Sequence, residues 1–110
     1  MSKKYSYFFT RTDLSKSQQV VQTAHVALKL GVMLSPREAN HLFFVNCGAS
    51  DLNEIYAIMD ICHNADIEYV VYRDSYYDDQ ITAIATFPIK NEQRLVFRGR
   101  PLLKFKESYE

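Results

Sequence analysis

The stretch "YSYFFTRTDLSKSQQVVQTAHVALKLG", residues 5–31, passes from an aromatic run into a helix-forming run and sets the pattern for the whole chain. Residues 5–12 are rich in aromatic and hydroxyl side chains, which favours a first strand. Ser15 and the glutamine three positions later fit a capping box, in which each side chain satisfies a free backbone N–H. The pattern therefore predicts a strand followed by a helix that ends near Leu30, because Gly31 is a natural stop.

One face of this helix is expected to be buried. Its apolar residues recur at spacings of three and four, which places them on one side of a helix with 3.6 residues per turn. A polar stripe lies next to them, formed by Gln18, Gln22, His25 and Lys29. That stripe is either a ligand site or an ordinary solvated helix face with one surface histidine. The residues predicted to face the core are Val20, Val21, Ala24, Ala27 and Leu28.

Strands and helices alternate along the rest of the chain. The run 41–47 is almost continuously apolar, as expected for a strand covered on both faces, and residues 32–40 read as a connection. The order β-α-β-α-β-β-α-β predicts one α/β domain, residues 1–110, with a single mixed four-stranded sheet flanked by helices. Further elements are predicted as strands at 67–74, 81–89 and 101–105, a helix from Ser50 with Leu52, Ile55, Ile58, Met59 and Cys62 facing inward, and a short helix at 92–97 capped by Asn91.

Charge and composition limit the possible partners. The 13 basic and 13 acidic residues cancel, so any anion must be bound by a local patch rather than by a global field. The chain shows no secretion signal and no apolar run near the ~20 residues that a membrane helix needs, which predicts a cytoplasmic protein. In that compartment Cys47 and Cys62 are expected to be free thiols rather than a disulfide. No histidine or cysteine pair has metal-ligand spacing, so no metal or other cofactor is expected.

Two segments resemble a known family. "RTDL", residues 11–14, with "QTAHVAL", residues 22–28, is similar to the R-x-D-L … Q-x-x-H-A signature of the type 2 (archaeal and eukaryotic) peptidyl-tRNA hydrolases. "RDSYYDDQITAIATFPI", residues 73–89, resembles the later family signature, and "RGRPLLKF", residues 98–105, the closing segment. The resemblance implies that family's fold, often as a homodimer. The matching residues are Arg11, Asp13, Leu14, Gln22, His25, Asp74, Gln80, Ile81 and Thr82.

Departures from the family pattern bear on catalysis. The family lysine seven positions before the histidine is replaced by Gln18, which cannot supply a positive charge. The glycine-containing loop of the second signature is replaced by "SYYDD", residues 75–79. If the protein were an enzyme, His25 and Asp74 would be its catalytic residues, since either could orient a water molecule for ester hydrolysis.

Residues suited to binding survive better. Tyr76 and Tyr77 offer rings on which a base can stack, although they could equally pack against the domain or a second copy. Arg11 and Arg73 could pair with phosphate or form surface ion pairs. The predicted ligand site comprises Arg11, Asp13, Gln18, Gln22, His25, Arg73, Tyr76, Tyr77, Gln80 and Thr82, and a second basic patch comprises Arg94, Arg98, Arg100, Lys104 and Lys106.

Two functions follow from these observations. The first is a non-catalytic protein that binds a nucleotide or small phosphate-bearing ligand in the inherited pocket, as a compact viral protein that sequesters a nucleotide signal would do. The second is a divergent peptidyl-tRNA hydrolase whose partner is tRNA. A plain protein-interaction module is a third reading, for which the sequence offers no feature.

Overall fold

The computed structural model describes residues 3–103, which form one mixed sheet between two helical layers. The predicted α/β class is confirmed. The strands are β1 (Lys4–Arg11), β2 (Leu42–Ala49), β3 (Tyr69–Asp74), β4 (Gln80–Thr86) and β5 (Ile89–Lys90); the α-helices are α1 (Lys16–Gly31), α2 (Pro36–Asn40) and α3 (Leu52–Asn64); and 3-10 segments span Ser75–Tyr77 and Asn91–Phe97.

The sheet is built around β1. Its strand order is β2-β1-β4-β3, with β1 and β2 parallel and β4 antiparallel to both of its neighbours. The short strand β5 pairs antiparallel with the start of β1. The predicted strand 81–89 is therefore two strands, because Pro88 lies between β4 and β5 and has no N–H for a ladder bond.

Side chains of β1 alternate between two cores, as the strand period of two requires. Phe8 packs into the core beneath α1. Tyr7 and Phe9 point the other way, into the core that holds the inward stripe of α3. That stripe was predicted correctly, with Ile58 and Cys62 fully buried.

The predicted buried face of α1 is wrong. Val20, Val21 and Leu28 are exposed, and the buried positions are Gln19, Gln22, Val26 and Leu30. The true buried face still repeats at three and four residues, but it lies roughly 150° around the helix from the predicted one, at about 100° per residue, and half of it is polar. Periodicity alone favoured the apolar stripe because it could not foresee hydrogen-bond partners on the sheet for buried glutamines.

Strand β2 is also not covered on both faces as predicted. It lies at one edge of the sheet, where Phe43 and Phe44 remain exposed and only Cys47, Gly48 and Ala49 are buried. An edge strand can be as apolar as a central one, so composition does not distinguish them.

The structure changes several predicted helix boundaries and helix types, mainly because of capping side chains. Asp51, not Ser50, caps α3, since its carboxylate accepts the Glu54 backbone N–H at 2.9 Å. Residues 32–40 are not simply a connection but include α2, whose capping box is formed by Ser35 and Glu38. The predicted helix 92–97 is a 3-10 segment.

The predicted strand 101–105 is reduced, within the described residues, to one bridge between Cys47 and Leu102, flanked by a hydrogen bond from the Leu103 N–H to the Asn46 carbonyl at 2.8 Å. Residues 104 and 105 lie outside the described residues.

Cys47 and Cys62 are free and buried, as predicted, and burial raises the pKa of each thiol to about 11. None of the helices between residues 3 and 103 combines the length and apolar character that a bilayer crossing requires.

The reassigned face of α1 can be tested by paired truncations. Leu30→Ala should lower the free energy of unfolding by ~2–5 kcal/mol, because Leu30 is 2% exposed and its removal leaves a cavity. Leu28→Ala should change it by less than ~0.5 kcal/mol, because that side chain is 69% exposed. Urea denaturation measures both values. A larger loss at Leu28 than at Leu30 would restore the face that periodicity predicted.

Candidate functional site

Gln22 joins the two motif segments of the sequence. It is 0% exposed, and its side-chain amide spans from α1 to the sheet. Thr82 Oγ1 donates to Gln22 Oε1 at 2.5 Å, while Gln22 Nε2 donates to Asp74 Oδ2 at 2.7 Å and to Gln18 Oε1 at 3.2 Å. Every polar atom of a buried glutamine is thereby satisfied, which offsets the cost of removing it from water. Four predicted site residues thus form one hydrogen-bonded chain.

A shift in strand register puts Thr82 in this chain. Tyr72 pairs with Ala83, but the next residue, Arg73, pairs with Ile81, so Thr82 has no partner across the ladder. A bulge of this kind lets two successive residues turn toward the same side of a sheet. Ala83 packs beneath α1, and Thr82 directs its hydroxyl toward the same helix.

The orientation of the Asp74 carboxylate is fixed by one hydrogen bond to each of its oxygens. The Gln22 side chain donates to one oxygen, and the Tyr76 backbone N–H donates to the other at 2.9 Å. These bonds, with the first the stronger cause, lower the pKa of Asp74 below its ordinary value, and the nearby His25 adds to the shift. The carboxylate is therefore ionised at neutral pH. Each oxygen retains a lone pair for a further donor.

Arg11 forms a second cluster at the end of β1. Its guanidinium makes a two-bond contact with Asp13, at 3.0 and 2.8 Å, and donates through Nη1 to Gln80 Oε1 at 2.8 Å and more weakly to the Ile81 carbonyl. The hydrogen bond with Asp13 is the main cause that raises the pKa of Arg11. Arg11 itself is buried, so this cluster ties the strand end to β4 and leaves little of the guanidinium for a ligand.

Aromatic rings border the Asp74 carboxylate. The exposed His25 ring stacks on Tyr72 with centroids 4.5 Å apart and planes 2° apart. Tyr76 is 83% exposed and meets Tyr77 edge to face at 5.0 Å, in the 3-10 turn that follows Asp74. The Tyr76 ring therefore faces solvent rather than the core.

Arg73 is a predicted site residue that the fold places on the opposite side of the sheet from Asp74. It lines a cleft on the α3 side of the sheet together with Cys62 and Val71, and its Nη1 donates to the Asp79 carbonyl at 3.2 Å. Its neighbours Tyr72 and Asp74 face α1. Alternation along β3 accounts for this separation, which the spacing of residues in the motif did not reveal.

Gln19 is a buried residue that the sequence analysis did not select. Its Nε2 donates to the Leu14 carbonyl at 2.8 Å and to the Thr12 carbonyl at 3.4 Å, which fixes the loop between β1 and α1. Beside it, the Thr10 and Thr23 hydroxyls are 2.6 Å apart. The first half of α1 thus packs on the sheet through polar contacts. The available signal was Ser15 followed by glutamines. Of the predicted capping box the structure forms the Ser15 half, in which Ser15 Oγ accepts the Gln18 backbone N–H at 3.3 Å, while Gln18 Oε1 accepts from Gln22.

Comparison with known proteins supports the fold and goes no further. No family model matches the chain, and no curated protein matches it. A solved structure described as a protein of unknown function from Agrobacterium tumefaciens strain C58 superposes with a TM-score of 0.70 at 13% identity, covering 94% of this chain and 100% of that one. At that identity the likeness shows a shared α/β fold alone. The relationship to peptidyl-tRNA hydrolases stays a prediction.

The ionisation of Asp74 gives a pH prediction. A carboxyl group whose pKa is lowered in the folded state stabilises the protein above its unfolded pKa, near 3.9, and this contribution is lost as pH falls through the folded pKa. Asp74→Asn removes the titrating group, so the difference in free energy of unfolding between the two proteins should narrow below about pH 4.

Direct titration provides the control. Carbon-13 NMR of the Asp74 carboxyl should give a midpoint below the ordinary aspartate value, and Gln22→Leu should move that midpoint upward because it removes the principal donor. Gln18→Ala, which leaves that donor in place, should change the midpoint less. An Asp74 midpoint at or above the ordinary value in the native protein would contradict the network.

Proposed function

We propose that the protein is a non-catalytic binder of a nucleotide or a small phosphate-bearing ligand, on a fold like that of the type 2 peptidyl-tRNA hydrolases. The observation that carries the proposal is the chain Thr82–Gln22–Asp74, which holds an ionised carboxylate in one orientation at the surface. Buried hydrogen bonds that fix a surface group reduce the ordering cost of binding a ligand to it.

The base and ribose of a nucleotide suit this surface. An ionised carboxylate only accepts hydrogen bonds, so Asp74 selects ligand groups that donate, such as ribose hydroxyls or a base N–H. The exposed Tyr76 ring is two residues away in the chain and can stack on a base, a contact worth ~1–3 kcal/mol. Gln18 accepts from Gln22 through its oxygen, and its amide nitrogen is the end of that side chain that can donate to a ligand.

The phosphate is expected to contact a different part of the surface. Arg11 already donates to Asp13 and Gln80, so a phosphate would have to displace those contacts. The N-terminal end of α1, which begins at Lys16, offers backbone N–H groups and a favourable dipole close to Gln18. We therefore expect the base and ribose to supply most of the specificity.

The reason to expect no ester hydrolysis is the residue Gln18. In the resembled family this position holds a lysine, and a positive charge there would stabilise the oxyanion that develops during ester hydrolysis. The Gln18 amide is neutral, and its oxygen is occupied by Gln22 Nε2. A compact cytoplasmic protein that binds without turnover is suited to sequestering a nucleotide signal, as a viral protein would.

A homodimer is part of the same proposal. A cleft of about 350 Å³ between α1 and the edge strand β2 is lined by apolar side chains that include the exposed Val20 and Phe44. Exposed apolar residues grouped in this way favour an association surface over isolated surface positions. The exposed apolar residues of this cleft are what support a homodimer.

A thermal-shift panel tests the binding proposal. Mono- and dinucleotides, cyclic dinucleotides and ADP-ribose derivatives should include at least one compound that raises Tm, since a ligand at 100 times its Kd stabilises by ~2.7 kcal/mol. Asp74→Asn and Tyr76→Ala should each abolish that rise. The first removes the negative charge and replaces one accepting oxygen with an NH2 group that donates, and the second removes the stacking ring.

Matched controls lie on α3. Asp60→Asn and Tyr56→Ala make the same chemical changes at exposed positions on the opposite side of the sheet, and both should keep the full shift. A panel without any shift, or a shift that survives both site variants, would defeat the proposal.

Divergent peptidyl-tRNA hydrolysis is the second candidate. The observation that favours it is the convergence of Gln22, Asp74 and His25, all motif positions, around one carboxylate. If the protein is a hydrolase, it should release the peptide from an N-blocked aminoacyl-tRNA, and His25→Ala or Asp74→Ala should lower kcat at least a hundredfold, the size of a general-base contribution. Absence of release at high protein concentration would exclude this candidate.

A further inference from the structure

A cleft of about 400 Å³ on the α3 side of the sheet is lined by three arginines, Arg94, Arg98 and Arg100. They belong to the 3-10 segment Asn91–Phe97 and the turn that follows it, which covers the parallel strands β1 and β2. The described residues that line this cleft include no aspartate or glutamate. In a chain with zero net charge, such a grouping makes a local positive field.

Arg94 is held in place by aromatic side chains. Its guanidinium carbon lies 3.9 Å from the centroid of the Tyr5 ring, and its Nε donates to the Tyr7 hydroxyl at 2.9 Å. Those contacts, led by the hydrogen bond to Tyr7, raise the pKa of Arg94. A guanidinium stacked in this way keeps other N–H groups for an anion and loses less side-chain freedom on binding one.

The positive surface continues past Asn91. A second cleft, of about 370 Å³, shares Asn91 with the arginine cleft and is lined by Lys3, Tyr5 and Lys90. It also includes Glu92, the one acidic residue among the described residues that line the two clefts.

An exposed aromatic ring lies at the end of this surface. Phe43 is 49% exposed on the edge strand β2, its ring is 5.7 Å from that of Tyr5, and Lys3 Nζ lies 5.3 Å from its centroid. Phe43 pairs with Tyr5 across the parallel ladder, which places both rings on the same side of the sheet. Cations and aromatic rings therefore alternate from the arginine cleft to the edge strand.

We propose that this basic-aromatic surface, formed by the two clefts and Phe43, binds single-stranded nucleic acid. The arginines match phosphate oxygens in charge and in fork geometry, and all three line one cleft. Phe43 offers a half-exposed ring on which an unpaired base can stack once the Lys3 ammonium moves aside to a phosphate, whereas a duplex would hold its bases inside. Base stacking beside a positive groove is the usual way in which proteins grip single strands without reading sequence.

The surface is separate from the Asp74 cluster. Tyr5 and Arg11 lie at opposite ends of β1, about 20 Å apart at 3.3 Å per residue. Tyr5 and Tyr7 face the α3 side, whereas the Thr82–Gln22–Asp74 chain faces α1. The inference therefore does not rest on the nucleotide site proposed above.

Fluorescence anisotropy with a labelled oligodeoxythymidine of about ten nucleotides tests the proposal at low and rising salt. Arg98→Gln/Arg100→Gln should weaken binding at least tenfold and should lower the slope of log K against log salt by about 1.4, which corresponds to two phosphate contacts. Phe43→Ala should weaken binding roughly fivefold or more through lost stacking, with the salt slope unchanged.

Three controls separate the alternatives. Arg37→Gln/Lys29→Gln removes the same charge from other parts of the surface and should bind as the native protein does. A duplex of equal length and inorganic pyrophosphate serve as competitors, and the single strand should be preferred to both. Failure to bind the single strand, equal preference for the duplex, binding of pyrophosphate alone, or equal weakening by both double variants would each overturn the assignment.

Discussion

The interface between α1 and the sheet depends on a buried glutamine. Gln22 is fully enclosed, and water cannot reach its amide, so each of its hydrogen bonds must be made by the protein itself. Thr82 and Asp74 make two of them from different parts of the sheet. The orientation of α1, the register shift beside Thr82 and the direction of the Asp74 carboxylate are consequently coupled, because a change in any one leaves a buried polar atom unpaired.

This coupling explains why α1 carries two kinds of contact along its length. Near its N-terminus, Gln19 and Thr23 bond to the loop and to β1, while farther along Val26 and Leu30 pack into an ordinary apolar core. The polar half specifies position, since hydrogen bonds are directional, and the apolar half supplies the non-directional stabilisation of burial. Exposure of Leu28 on the outer side of the helix, and of Val20 on its flank, is a consequence of the orientation that the polar half imposes.

The two proposed surfaces differ in the charged groups that they present to a ligand. Around Asp74 the positive groups are already used, since Arg11 is bonded to Asp13 and Gln80, and the exposed acceptor favours ligands that donate hydrogen bonds. On the α3 side, arginines gather in a cleft without carboxylates among its described lining residues, and aromatic rings hold Arg94 in place. A sum over the chain gives zero net charge and shows neither the ionised Asp74 carboxylate nor the grouped arginines.

Local features of the chain were sufficient for the fold class and for the longer elements, although the short helix α2 was predicted as a connection. Alternating apolar runs, the Ser15 cap and Gly31 predicted the strand, the helix and its end, and the inward stripe of α3, because these depend on neighbours in sequence. The resemblance to a family signature also pointed to Gln22, Asp74 and Thr82 as a group, and the fold brings those three together.

Tertiary structure decided the remaining features because they depend on residues far apart in the chain. The buried face of α1 depends on hydrogen-bond partners that β3 and β4 provide. The apolar Leu28 is therefore exposed and the polar Gln22 is buried, which is the reverse of what hydropathy predicts. Arg73 is one residue from Asp74, yet strand alternation turns it to the opposite side of the sheet. The sequence by itself determined the longer elements and the fold class, because these depend on neighbouring residues, whereas long-range hydrogen bonding determined which faces of the elements meet.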